Sequence, residues 1–134
     1  MAKIMLIEDS PDTRDLVKMV LELNGHSVLS AETGEAAMIK LKEFQPDLIL
    51  MDISLPGKLN GLDIVKKLRA DSSFDKTPIL ALTAHAMQED QQKSLDAGCD
   101  EHIIKPILDL ESFGDKVSLY AERGRNANRE AAYQ

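Results

Sequence analysis

The sequence predicts an α/β fold, a doubly wound parallel sheet of five strands covered by helices. Three observations carry that prediction. Short apolar runs alternate five times with stretches of helical period. Leu48-Ile49-Leu50-Met51 and Ile79-Leu80-Ala81-Leu82 are apolar without a polar alternate, as strands buried on both faces require. Four of the five runs end in a charged or hydroxyl side chain, so function should collect along one edge of the sheet.

Taken in order, Lys3 to Ile7 is the first strand, stopped by Glu8-Asp9. Ser10 caps a helix with Pro11 at its first position, and Leu16, Val17, Val20, Leu21 and Leu23 line one side as far as Asn24-Gly25. Ser27 to Ala31 is a weaker strand. Thr33-Gly34-Glu35 opens a second helix carrying Ala37, Leu41 and Phe44, broken at Pro46. After the Leu48–Met51 strand and Asp52 comes a turn-rich loop holding Pro56, Gly57 and Asn60-Gly61. Leu62, Val65 and Leu68 mark a third helix, and Pro78 to Thr83 the fourth strand. Met87 to Ala97 reads as a helix with Leu95 as its one strong apolar anchor, ended by Gly98. Asp100 to Ile104 is the fifth strand. Asp109 caps a last helix with Phe113, Val117 and Tyr120, in which Gly114 costs about 1 kcal/mol relative to Ala. A globular unit over residues 1–124 and a polar, fraying tail over 125–134 are expected.

Composition narrows the function. The 134 residues suit one domain, with an aliphatic core because aromatics are few and Trp is absent. A net charge of −7 disfavours a nucleic-acid surface. The single cysteine, Cys99, excludes an internal disulfide and a cysteine-rich zinc site, and a reducing cytoplasm is expected. The N-terminus lacks a signal-peptide layout, and no apolar run approaches the roughly 20 residues of a spanning helix.

The strand ends supply Glu8 and Asp9, Asp52, Thr83 and Lys105. Three carboxylates brought together repel one another unless a hard divalent cation joins them, and oxygen ligands of this kind suit Mg²⁺. Lys105 and Thr83 then offer a cation and a hydroxyl to an anion beside the metal. These are the parts that phosphoryl transfer needs, with Asp52 as nucleophile. Taken singly, each residue has a plainer reading: a cap, a helix-start acid, a strand end, a solvated lysine. The conjunction at four strand ends is what points to chemistry.

Leu6-Ile7-Glu8-Asp9, Leu48-Ile49-Leu50-Met51-Asp52 with Leu55-Pro56 and Asn60-Gly61, Ala81-Leu82-Thr83-Ala84, and Ala97-Gly98-Cys99 leading to Lys105-Pro106 together resemble the receiver domains of two-component response regulators. The resemblance runs from about Lys3 to Tyr120. It implies a flavodoxin-like (βα)5 fold with strand order 2-1-3-4-5. It implies Asp52 as phosphoacceptor, Glu8 and Asp9 handling Mg²⁺, the Ser54 backbone carbonyl completing the protein ligands, Thr83 as switch hydroxyl, and Lys105 pairing with phosphoryl oxygens before a cis bond to Pro106. It also implies a histidine kinase or histidine phosphotransfer protein as donor and a downstream protein as target, without direct nucleic-acid contact or membrane insertion. Catalysis is confined to the protein's own phosphorylation and dephosphorylation. The output surface is expected on the Met87–Ala97 helix, the fifth strand and the last helix. With no effector module after Tyr120, a stand-alone receiver resembling the chemotaxis regulators is expected.

Three positions depart from the usual pattern. His102 stands where the family carries a rotating aromatic, and His85 lies two residues past Thr83, opposite Ser54, where hydrolytic water is controlled. The loop from Pro56 to Gly61 is one residue longer than the commonest form. Two other classes compete, with a flavin carrier as a third and weaker reading. An aspartyl-phosphate phosphatase would carry a second Asp where Ser54 stands. A pseudo-receiver would lack one or more of the five key residues, all of which are present. A flavin carrier would need a phosphate-binding loop where Glu8-Asp9 stands.

Overall fold

In the computed structural model, residues 2–53, 55, 60–84 and 87–126 are described. Five strands, β1 (Lys3–Ile7), β2 (Ser27–Ala31), β3 (Leu48–Asp52), β4 (Ile79–Thr83) and β5 (Glu101–Ile104), alternate with α1 (Pro11–Leu23), α2 (Gly34–Leu41), α3 (Gly61–Arg69), α4 (Gln88–Ala97) and α5 (Leu110–Arg123). All pairings are parallel, and the strand order is β2-β1-β3-β4-β5. The doubly wound sheet predicted from the alternation is the fold observed.

Side-chain alternation along the strands splits the core into two layers. Met5, Ile7, Ile49, Met51, Ile79 and Ala81 face α2, α3 and α4. Ile4, Leu6, Leu48, Leu50, Leu80 and Leu82 face α1 and α5. The central strands β3 and β4 are buried along their whole length, which explains their unbroken apolar sequence. The sheet continues through β1 to β2 on one side and through β3 to β5 on the other. The crevice between β1 and β3 is therefore the topological switch point.

Local signals set the helix ends. Ser10, Thr33, Asn60 and Asp109 each accept a hydrogen bond from the backbone N–H three residues on. Helix α2 stops at Leu41, earlier than expected, and Phe44 packs on the core from the following turn. β5 begins at Glu101, because Asp100 is engaged in a different structure described below. Gly114 is buried at the approach of α5 to α1, where a Cβ would lie 2.6 Å from the Asn24 side-chain nitrogen. That close approach gives the absence of a side chain a packing reason.

Helix α4, with Leu95 as its one strongly apolar interior residue, is expected to be lightly anchored, and it is. Leu95 is 44 % exposed, and the residues α4 buries are Ser94 and Ala97. Its N-terminus has no side-chain cap. The helix is thus held by little apolar surface. Gly124–Asn126 forms a 3-10 turn, and Arg125 Nε donates to Asp100 Oδ1 at 2.7 Å.

At the opposite end of the sheet from the strand-end residues, His26 joins the N-terminus to α5. Its Nδ1 accepts from the Ala2 N–H at 3.2 Å, which leaves Nε2 to donate to Ser118 Oγ at 3.0 Å. Burial, and then the positive N-terminus, hold the imidazole below its ordinary pKa of 6.5. Stability linked to this neutral ring is complete above pH 6.5. It is lost as pH falls through the lower pKa of the folded state, because the unfolded chain takes up the proton first. Melting temperature should therefore fall on acidification from about pH 7.5 to about pH 5. In His26→Gln that part of the pH profile should flatten, as thermal melts followed by circular dichroism would show.

Candidate phosphoryl-acceptor site

The strand register assembles the site. Ile7 lies beside Met51, Asp52 beside Leu82 and Thr83 beside Ile104, so β1, β3, β4 and β5 end at nearly one level. Glu8 follows Ile7 and is tied to β2 by its N–H to the Ala31 carbonyl at 3.0 Å. Alternation carries Glu8 and Asp52 to the same side, the α1/α5 layer. They are 0 % and 2 % exposed. Asp9, the next residue, is exposed. Glu8, Asp9 and Asp52 each present a carboxylate oxygen within 4.8 Å of the others.

Lys105 enters this cluster from β5. Its N–H bonds to the Thr83 carbonyl at 2.7 Å, which fixes the backbone beside β4. Its Nζ donates to both Glu8 carboxylate oxygens, at 3.0 and 3.2 Å, and lies 3.5 Å from Asp52 Oδ2. Burial is the largest single influence on the ammonium and lowers its pKa. The Glu8 hydrogen bond and the Asp52 and Glu8 charges together outweigh it, so the pKa is raised above 10.5 and Lys105 is a permanent cation. The Lys105–Pro106 bond is cis.

Thr83 is buried at the end of β4 and follows Ala81 onto the α2–α4 side by alternation. By the same alternation it leaves the sheet on the face opposite to that of Asp52. His102 is half-buried, with Nδ1 3.2 Å from Ser94 Oγ, so the histidine at the aromatic position bridges β5 to α4. Ser54, His85 and residues 56–59 of the longer loop lie outside the described residues. The sequence-predicted residues Glu8, Asp9, Asp52 and Lys105 are brought together, and Thr83 and His102 stand on the α4 side of the same edge.

Two residues of this region were not singled out as functional by sequence. Arg14, on the first turn of α1, donates from Nη1 to the Glu8 carbonyl at 3.0 Å. Gly61, the first residue of α3, donates its N–H to the Ile53 carbonyl at 3.1 Å. A Cβ there would overlap the Asp52 carbonyl oxygen and lie 2.6 Å from Ile53 Cα. Both obstacles are backbone, so Gly61→Ala should move the Asp52–Ile53 peptide. The expected cost is about 1–3 kcal/mol from overpacking, read by urea denaturation. Asn60-Gly61 was legible as a turn, but the close approach of α3 to β3 was not.

The donor set fits a small, hard divalent cation. Every ligand offered is a carboxylate oxygen, and exposed Asp9 leaves room for the waters such an ion keeps. An acidic crevice at the switch point, bridged by one lysine, matches the arrangement predicted for phosphoryl acceptance. A family profile for the response regulator receiver domain matches residues 4–117. The chain belongs to the response regulator receiver domain family.

Similar proteins agree. The phosphate regulon transcriptional regulatory protein PhoB of Escherichia coli is 38% identical over 105 residues, 78% of this chain and 45% of PhoB. The polar-differentiation response regulator DivK of Brucella ovis is 36% identical over 104 residues, 78% of this chain and 84% of DivK. Among solved structures, the chemotaxis response regulator CheY4 of Vibrio cholerae is 30% identical with a TM-score of 0.82, covering 88% of this chain and 97% of CheY4. The chain thus spans less than half the length of PhoB and most of the length of DivK and CheY4. This receiver domain is a phosphoacceptor of two-component signal transduction. Receiver domains in general are signal transducers that act with kinases or phosphotransfer proteins and with downstream targets. Among the described residues no helix is long and apolar enough to cross a membrane.

Proposed function

We propose that Asp52 is the phosphoacceptor and that its phosphorylation switches a protein-interaction surface. The observation that carries this is the buried pair Glu8 and Asp52, bridged by Lys105 Nζ at the switch point. The donor would be a phosphohistidine on a histidine kinase or phosphotransfer protein in the cytoplasm. An Asp52 carboxylate oxygen attacks phosphorus, the P–O bond forms as the P–N bond breaks, and the leaving imidazole takes a proton from solvent. Glu8, Asp9, Asp52 and the Ser54 carbonyl would hold Mg²⁺, which neutralises charge on the phosphoryl oxygens when bound.

Lys105 now sits closer to Glu8 than to Asp52. A phosphoryl group brings about two further negative charges to Asp52 and draws the ammonium toward it. The Thr83 hydroxyl meets the same oxygens from the other side and pulls on the segment leading to α4. Little apolar burial opposes movement of α4, and the His102–Ser94 contact couples it to β5. His85 would tune the access of hydrolytic water. The self-directed chemistry makes the protein a switch rather than a turnover enzyme.

The test is intact mass after incubation with Mg²⁺ and a small acyl or amido phosphate. One phosphoryl adduct is expected, lost when EDTA replaces Mg²⁺. Absence of an adduct with this donor and with histidine kinases would favour a pseudo-receiver, and rapid turnover of metabolite phosphates would favour a phosphatase.

A further inference from the structure

We infer that Arg14 is a positioning residue for the divalent cation, acting through the Glu8–Asp9 peptide. The inference rests on the metal reading above and adds a residue to it. Helical side chains lean toward the N-terminus of their helix. Arg14, four residues past the Ser10 cap, therefore reaches back over the start of α1 to the end of β1. Its side chain is 15 % exposed. One arm donates to the Glu8 carbonyl at 3.0 Å, and the other lies 3.3 Å from Glu32 Oε1, just beyond the end of β2.

The Glu8 carbonyl belongs to the peptide that begins Asp9. Holding that oxygen sets the peptide plane and with it the direction in which the Asp9 side chain departs. Glu8 itself is held elsewhere: its N–H by Ala31, its carboxylate by Lys105 and by the Ser10 N–H at 3.4 Å. Asp9 is the exposed member of the acidic set. Its placement depends most on the backbone that Arg14 clamps. The Glu32 arm contributes orientation more than energy, because Glu32 is 72 % exposed and such pairs are weak.

Charge and positioning here predict opposite signs. A guanidinium on the Glu8 carbonyl is a positive charge at the edge of the acidic set and opposes an incoming cation, so its removal on charge grounds alone would tighten metal binding. A positioning role predicts weaker binding, by about tenfold, as for other groups that orient metal ligands. Mg²⁺ affinity of the whole chain, measured by isothermal titration calorimetry well below the melting temperature, separates the two. Arg14→Met and Arg14→Gln should both weaken Mg²⁺, while Glu32→Gln, which leaves the carbonyl bond in place, should stay within about twofold. Circular dichroism of the metal-free proteins controls for folding, and either Arg14 variant suffices. Unchanged or tighter binding by the folded Arg14 variants, or an equal loss in Glu32→Gln, would overturn the inference alone. No Mg²⁺ binding by the unsubstituted protein would overturn the metal reading together with it.

Discussion

Asp52→Asn is expected to abolish the phosphoryl adduct and, in the absence of divalent cations, to melt at a higher temperature than the unsubstituted protein. The first effect follows from the chemistry. An amide is not a nucleophile toward phosphorus at neutral pH, and Asp52 is the carboxylate at the end of β3 that Lys105 faces. The second follows from electrostatics. Asp52 is buried within 4.8 Å of two other carboxylates, while Lys105 is held more closely by Glu8 than by Asp52. Removing one charge relieves two repulsions and the cost of burying an ion, and Lys105 keeps its shorter bond. The expected gain is on the order of 1 kcal/mol. Addition of Mg²⁺ should raise the melting temperature of the unsubstituted protein more than that of the variant, because binding stabilises in proportion to affinity. Thermal melts with and without Mg²⁺, alongside intact mass, check both parts. An Asn variant that melted lower without metal would show that Asp52 is a net stabilising ion-pair partner.

The largest stability loss should come from the other end of the sheet. Asp100 is buried between two arginines. Its Oδ2 accepts from Arg69 Nη2 and from the Ile79 N–H, both at 2.9 Å, and its Oδ1 accepts from Arg125 Nε at 2.7 Å. Its backbone carbonyl accepts from the Tyr120 hydroxyl at 3.3 Å. Asp100→Ala would leave the Ile79 N–H without its acceptor and set two guanidinium groups beside an empty space. Breaking a buried pair from one side costs about 3–5 kcal/mol. The lower end applies here, because Arg69 keeps the Gly98 and Phe74 carbonyls. A loss of about 3 kcal/mol lowers the melting temperature by on the order of 10 °C. Arg125→Ala should cost less than about 1 kcal/mol, since that side chain is 40 % exposed. Urea denaturation of both variants gives the comparison, and equal losses would assign the stability to Arg125 rather than to the Arg69 side of the cluster.

Much of the fold was legible because its signals are local. Leu48–Met51 and Ile79–Leu82 admit few readings other than strands covered on both faces. Ser10, Thr33, Asn60 and Asp109 announce helix starts through hydrogen bonds that span three residues. Less legible were contacts that distant segments decide. The seating of α4 buries Ser94 and Ala97 and leaves Leu95 44 % exposed. Asp100 holds Arg125, 25 residues later. The approach of the Asn24 side chain to Gly114 gives its small size a reason that no short window shows.

By itself, the sequence determined five strands, five helices and the identity of the residues at the strand ends. Those are properties of short windows, where apolar period and capping side chains act within a few residues. Only the tertiary structure decided that Lys105 bonds Glu8 more closely than Asp52 and that Arg14 clamps the Glu8 carbonyl. The Lys105 contact depends on the register of parallel strands far apart in the chain, and the Arg14 clamp on how α1 leaves the end of β1. Register is set by packing on both faces of the sheet, and a shift of one residue would exchange those faces.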